Sequence, residues 1–145
     1  MPNIQINFMA IGIAMVANFF LGYLWYTPLF GKLWAKELGL SMDQKPPASV
    51  FIRGLIIMVI GNFLMAWVFA HNIAVWNPGT WGLPVGEMSS SSMAVPAALF
   101  TWLGFYLPGD LSRMAWENKS LKLFAINTSY HFLSLLVASL IISNM

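Results

Sequence analysis

The chain has 145 residues, of which 59% are hydrophobic and only 8% are charged. An ordinary soluble domain carries about 25% charged residues, so this composition excludes a water-soluble globule with a polar surface. The absence of cysteine excludes disulfides and thiolate chemistry, and a net charge of +2 with few basic residues argues against nucleic-acid binding.

Four apolar segments organise the chain, at about residues 4–26, 51–71, 93–108 and 121–142. Three of them reach the roughly 20 residues that a membrane-spanning helix needs. The third is too short unless its helix bends and continues past Pro108. No basic residue precedes the first segment, so we expect a retained helix and not a cleaved signal peptide. The sequence predicts a single all-α domain over residues 1–145 with four transmembrane helices.

The first segment ends in an aromatic stretch, Trp25-Tyr26-Thr27-Pro28-Leu29-Phe30-Gly31-Lys32-Leu33-Trp34. Aromatic side chains with a polar edge collect at the membrane interface, and Pro28 is predicted to push Thr27 out of helical geometry. A short amphipathic helix is expected next, ending at Gly39, and a weaker copy of this pattern follows helix 3. The predicted interface residues are Trp25, Tyr26, Pro28, Lys32, Trp34, Trp102, Pro108 and Trp116.

Lysine and arginine residues fall in only two of the three connections between these segments. The first connection has Lys32, Lys36, Lys45 and Arg53, the third has Arg113, Lys119 and Lys122, and residues 72–92 between them have none. By the positive-inside rule, the first and third connections are cytoplasmic and both termini lie outside. We expect a multi-pass protein of the bacterial inner (plasma) membrane.

The two halves of the sequence resemble one another. Asn62-Phe63-Leu64 follows Arg53, and His131-Phe132-Leu133 follows Lys122, at the same distance along the chain. These matches indicate a 2+2 parallel internal repeat related by an axis along the membrane normal. The alternative is chance, because glycine, leucine and phenylalanine are common in membrane helices.

A few polar side chains within the apolar segments are the candidate binding residues. We call this set the polar seam; it consists of Asn18, Asn62, Asn127, Tyr130 and His131. Asn127 and His131 share one face of helix 4, and Asn62 is expected to meet His131 near the midplane. Histidine is the strongest candidate because it gains a proton in the physiological pH range. The alternative is that these groups only form hydrogen bonds between packed helices. Close helix packing is favoured by a stripe of small residues on helix 1, which consists of Ala10, Ala14, Asn18 and Gly22.

Acidic residues are predicted to lie outside the spanning helices, which argues against a proton-coupled exporter. Asp110, Arg113 and Glu117 are interpreted as a solvated turn with an Arg113 to Glu117 ion pair. No phosphate loop, paired zinc histidines or nucleophile elbow occurs in the sequence, so no enzyme activity, metal site or cofactor is expected.

Several of these motifs together resemble a known family. The aromatic stretch from Trp25 to Trp34, the segment Trp102-Leu103-Gly104-Phe105 with Pro108, and Asn127-Thr128-Ser129-Tyr130-His131 after Trp116-Glu117 are similar to the family catalogued as domain of unknown function 1761. This resemblance implies a small, mostly bacterial, multi-pass membrane protein with no assigned activity.

The preferred hypothesis is binding or transport of a small molecule, ion or lipid along the polar seam. A structural or accessory subunit of a membrane complex is the main alternative, and a membrane enzyme comes third. The expected partners are membrane lipids, other copies of the chain in a homo-oligomer and, for the alternative, a second membrane protein.

Overall fold

The computed structural model describes residues 4–41, 47–86 and 89–145, and these residues form helices and connections without a strand. Three helices are long and apolar enough to cross a membrane: Phe8–Leu29, Ala48–Trp76 and Leu121–Asn144. The prediction of an all-α protein with membrane-type helices is confirmed, with three such helices in the described residues.

The first span is α1 (Phe8–Leu24) followed by a π-helical turn, Trp25–Leu29, which we call the first π turn. α1 starts later than predicted because the Asn7 side chain caps it, accepting from the amides of Met9 and Ala10. The prediction that Pro28 breaks the helix at Thr27 is wrong. The amide of Phe30 donates to the carbonyl of Trp25 at 2.9 Å, so the wider helical turn encloses the proline.

The predicted amphipathic helix is α2 (Gly31–Glu37), and Gly39 follows it with a φ of +68°. Its buried residues are Gly31 and Ala35, whereas Leu33 is 37% exposed. A Cβ atom on Gly31 would lie 2.6 Å from the carbonyl oxygen of Tyr26, so α2 packs closely on the first π turn. Lys45 lies outside the described residues.

The second span, α3 (Ala48–Trp76), has 29 residues and extends beyond the predicted 51–71 at both ends. A 3₁₀ turn, Pro78–Trp81, closes it, with the Trp81 indole donating to the carbonyl of Val75 at 2.7 Å. Ala66, Phe69 and Ala70 are its buried residues, and no residue between 48 and 61 is buried. α3 therefore packs only through its second half.

The third segment is helical from end to end but is not a uniform α-helix. α4 (Ser90–Thr101) leads into a second π turn (Trp102–Tyr106) and then into α5 (Leu107–Trp116). The helix extends beyond the predicted bound of residue 108 and continues past the proline, which is the alternative that the short segment left open. This proline occupies the first turn of α5, where its missing amide is not needed, so the helix continues past it.

The last helix, α6 (Leu121–Asn144), agrees closely with the predicted 121–142 and begins at the Ser120 cap. It packs against α1, α3, α4 and α5. The core between the helices contains Ala14, Phe69, Ala98, Leu135 and Ala138. The small-residue stripe on α1 is confirmed, because Ala10, Ala14 and Asn18 are 0% exposed.

The two ends of the bundle differ in charge. Leu38 from the first connection and Lys119 from the third line one cleft, so both basic connections lie at the same end, which we call the basic end. At the opposite end, the Asn7 side chain donates to the backbone carbonyl of Met145 at 3.2 Å.

Candidate functional site

Two tryptophans fasten the π turns to the same stretch of α6. The indole of Trp25 donates to the carbonyl of Ile126 at 3.0 Å. The indole of Trp102 donates to the carbonyl and hydroxyl oxygens of Thr128 at 3.0 and 3.1 Å. These residues were predicted only as interface markers. These hydrogen bonds hold the π turns against α6. Tyr26 of the first turn and Tyr106 of the second thereby contact the α6 residues Asn127 and His131, respectively.

Tyr26 joins the first π turn to two members of the polar seam. Its hydroxyl donates to Oδ1 of Asn127 at 3.1 Å. Its ring lies 5.0 Å from the ring of Tyr130 and 5.5 Å from that of Trp34, measured between centroids. Edge-to-face contacts of this kind hold aromatic rings in one orientation. Asn127 and Tyr130 are therefore held by Tyr26, which had been assigned only to the interface motif.

The partner of His131 is an acid that the sequence interpretation placed in solvent. Nδ1 of His131 lies 2.7 Å from Oδ2 of Asp110, and the Asp110 side chain is only 6% exposed. The ring of His131 also packs against Tyr106, with 5.1 Å between the centroids. The interpretation of Asp110 as part of a solvated turn is therefore wrong, although Asp110 lies outside the three apolar spans as expected. Asp110 is carried by α5, which turns it into the bundle.

Arg113 contacts the same carboxylate from outside. Its guanidinium lies 3.9 Å from Oδ1 of Asp110, and the arginine side chain is 65% exposed. The predicted pairing of Arg113 with Glu117 is replaced by this contact among the described residues. An exposed pair at this distance is screened by water and contributes little, whereas the short contact to His131 has the length of a charge-assisted hydrogen bond.

These contacts define a group of side chains that we call the Asp110 cluster; it consists of Tyr26, Asp110, Asn127, Tyr130 and His131. A cleft of about 300 Å³ at the basic end reaches Asp110 and Asn127. Its other polar wall residues are Arg113, Glu117 and Lys119. The cluster is thus half enclosed by helices and accessible to a small solute from one end of the bundle.

The family model described as protein of unknown function (DUF1761) matches residues 9–143. The chain belongs to this family. The matched region contains every residue of the Asp110 cluster, and the resemblance drawn from the aromatic and Asn-x-x-Tyr-His motifs is confirmed. Comparisons with curated proteins and with solved structures found no match. The family description names no activity.

The remaining members of the polar seam lie apart from the Asp110 cluster. Asn18 is completely buried on α1, and neither its amide oxygen nor its amide nitrogen has a partner among the described residues. Asn62 lies on α3 and is partly exposed, and no hydrogen bond links it to His131 in the described chain. Sequence spacing placed Asn62 at the depth of His131 but did not show which way each helix is rotated.

Other predicted interface residues lie outside the cluster. Lys32 is exposed and Trp116 is 88% exposed, while Pro28 and Pro108 lie within helical turns. Asp110 was missed because the predicted segment ended at residue 108 and the acid after it was interpreted as part of a solvated turn. The signal available in the sequence was that proline is tolerated in a first helical turn and that an acid is favoured there.

Proposed function

We propose that the protein is a membrane transport protein in which protons pass through the Asp110–His131 pair and a small polar solute binds beside it. The observation that carries this proposal is the 2.7 Å contact between a buried carboxylate and an imidazole in a chain with membrane-spanning helices. His131 lies within one of these helices, where ionisable side chains are costly and mark proton relays or substrate paths.

The chemistry of the pair suits a proton relay. An imidazole and a carboxylate can each accept and release a proton, so a proton that enters or leaves the pair changes its net charge by one unit. A positively charged or hydrogen-bond-donating solute is attracted more strongly to the negative form. Proton uptake and solute binding therefore oppose each other at one site, which is the requirement for exchange.

The surroundings of the pair support solute binding. Asn127 and the hydroxyl of Tyr26 add a hydrogen-bonding surface beside Asp110, and the cleft gives access from the basic end. The two π turns flank this surface. Such turns occur often at functional sites, since they shift side chains out of the regular helical pattern.

Proton flux is the direct test, because the proton serves as its own probe. The protein is reconstituted into liposomes containing a pH-sensitive dye, and an inward proton flow is driven by a valinomycin-mediated potassium diffusion potential. We expect a flux above that of protein-free liposomes and at least a tenfold loss in His131→Ala.

His71→Ala is the matched control, since His71 lies on α3 and bonds the carbonyl of Trp67 at 2.8 Å, away from the cluster. It is expected to keep the wild-type flux. A wild-type flux equal to that of empty liposomes, or an undiminished flux in His131→Ala, contradicts the proposal.

A four-span topology accompanies this function. We propose that the helical path from α4 through α5 is the third span, with both termini outside the bacterial inner membrane. The meeting of Asn7 with Met145 supports an even number of crossings, and the shared end of both basic connections supports their cytoplasmic position. The presence of two π turns, each beginning with a tryptophan, supports an internal repeat.

An accessory role in a larger complex is the second candidate. Residues 48–61 of α3 contain no buried side chain, which leaves half of a long apolar helix free for contact with another protein. Native mass spectrometry of protein extracted gently from its membrane separates the two candidates. A stoichiometric second protein favours the accessory role, whereas a homo-oligomer or monomer without one favours transport.

A further inference from the structure

Asn18 is an exception among the buried polar side chains. Its side chain is 0% exposed, and both polar atoms lack a hydrogen-bond partner in the described chain. Ser139, equally buried, donates to the carbonyl of Ala94 at 2.6 Å, and Ser134 donates within its own helix to the carbonyl of His131 at 2.9 Å. Ser143 also lacks a partner, but it lies in the last turn of α6.

A buried amide without partners is unfavourable, because the hydrogen bonds it makes with water in the unfolded chain are lost. Most buried polar groups are therefore paired with protein or with ordered water. Asn18 can offer two donors and an acceptor, and no described neighbour uses them. An ordered water molecule inside the bundle would satisfy these polar atoms.

Asn18 lies on a face of α1 that is also in contact with the Asp110 cluster. Gly22 lies one turn further along the same face of α1, about 6 Å along the helix axis. A Cβ atom on Gly22 would be 3.0 Å from the hydroxyl oxygen of Tyr130, so this hydroxyl rests directly against α1. Tyr130 therefore extends from the cluster to the helix face that carries Asn18.

From this arrangement we propose that Asn18 binds water inside the bundle and that this water continues the proton path from Tyr130 toward the end opposite the basic end. The inference rests on the proposed transport function. One or two water molecules span a single helical turn by hydrogen bonds of about 2.8 Å. A water molecule accepts a proton from one side and gives up another on the far side, so Asn18 itself is unchanged.

The first measurement is of the water and does not depend on transport. Protein with ¹⁵N-labelled asparagine is placed in lipid bilayers, and solid-state NMR detects magnetisation transfer from water to side-chain amides. We expect a water cross-peak for the Asn18 amide, assigned by its disappearance in Asn18→Leu. Absence of this cross-peak overturns the inference whatever the flux.

The second measurement uses the proton-flux assay with two matched variants. Leucine has about the volume of asparagine but binds no water, so Asn18→Leu is expected to lower the flux at least tenfold without lowering the melting temperature. Asn72→Leu makes the same change near the end of α3, at a residue outside the polar seam and the Asp110 cluster, and is expected to keep the wild-type flux.

The outcomes separate the two proposals. Wild-type flux in Asn18→Leu together with loss in His131→Ala overturns the Asn18 path and leaves the transport function standing. A lower melting temperature in Asn18→Leu with unchanged flux assigns Asn18 to helix packing. Absence of flux in the wild-type protein contradicts the transport function itself.

Discussion

The Asp110–His131 contact makes a quantitative prediction about stability. In His131→Phe the ring against Tyr106 is kept but the nitrogen is lost, which leaves the Asp110 carboxylate buried without its closest partner. Leaving a buried polar group without its hydrogen-bond partner costs about 1–3 kcal/mol, and more when that group is a carboxylate. Arg113, at 3.9 Å and largely exposed, offsets only a small part of that cost.

Removing Asp110 is expected to lower the free energy of unfolding by less than removing His131. Asp110→Leu leaves a neutral imidazole without its acceptor, and an unsatisfied uncharged group costs about 1–3 kcal/mol. The double variant replaces both partners by apolar groups of similar volume. Such replacements are often neutral, so we expect its free energy of unfolding to lie within about 1 kcal/mol of the wild-type value.

A double-mutant cycle in detergent measures this coupling, with unfolding followed by the fluorescence of the seven tryptophans. The expected result is a double variant that is more stable than the His131→Phe variant. Destabilisation of the double variant by the sum of the two single effects refutes the coupling. Arg113→Leu is the control and is expected to change the free energy of unfolding by less than about 0.5 kcal/mol.

Two further predictions concern the fold and its orientation. Gly31→Ala is expected to lower the free energy of unfolding by about 1–3 kcal/mol, since the added methyl group meets the Tyr26 carbonyl. Gly12→Ala, with nothing within 4 Å, is the control for helix propensity; equal effects of both substitutions contradict the close approach. The chain has no cysteine, so single cysteines report topology. A membrane-impermeant maleimide should label Leu83→Cys in intact spheroplasts and Lys119→Cys only after permeabilisation, and the opposite pattern refutes the proposed orientation.

The apolar segments predicted the helices well, because hydrophobicity and helix caps are local properties. The bounds of α6 differ from the prediction by two residues at one end. Gly39 adopts a positive φ just after α2, close to the predicted helix end. The small-residue stripe on α1 is buried through Ala10, Ala14 and Asn18. The membrane class and the family followed from the same local patterns.

The errors occurred where a distant contact changes a local preference. Pro28 was predicted to break the first helix and residue 108 was the predicted bound of the third, yet both prolines lie within helical turns. Each π turn is held by a tryptophan that donates to a carbonyl of α6, 101 residues away for Trp25 and 26 for Trp102. Single-residue preferences contain no information about such partners.

The sequence by itself determined that the chain forms membrane-type helices, where most of them lie and which residues are polar within them. The tertiary structure decided which polar groups meet. His131 bonds Asp110 and not Asn62, and Asn18 is buried without a protein partner. The physical reason is that periodicity assigns a residue to a helix face, whereas the rotation and height of each helix follow from packing around α6.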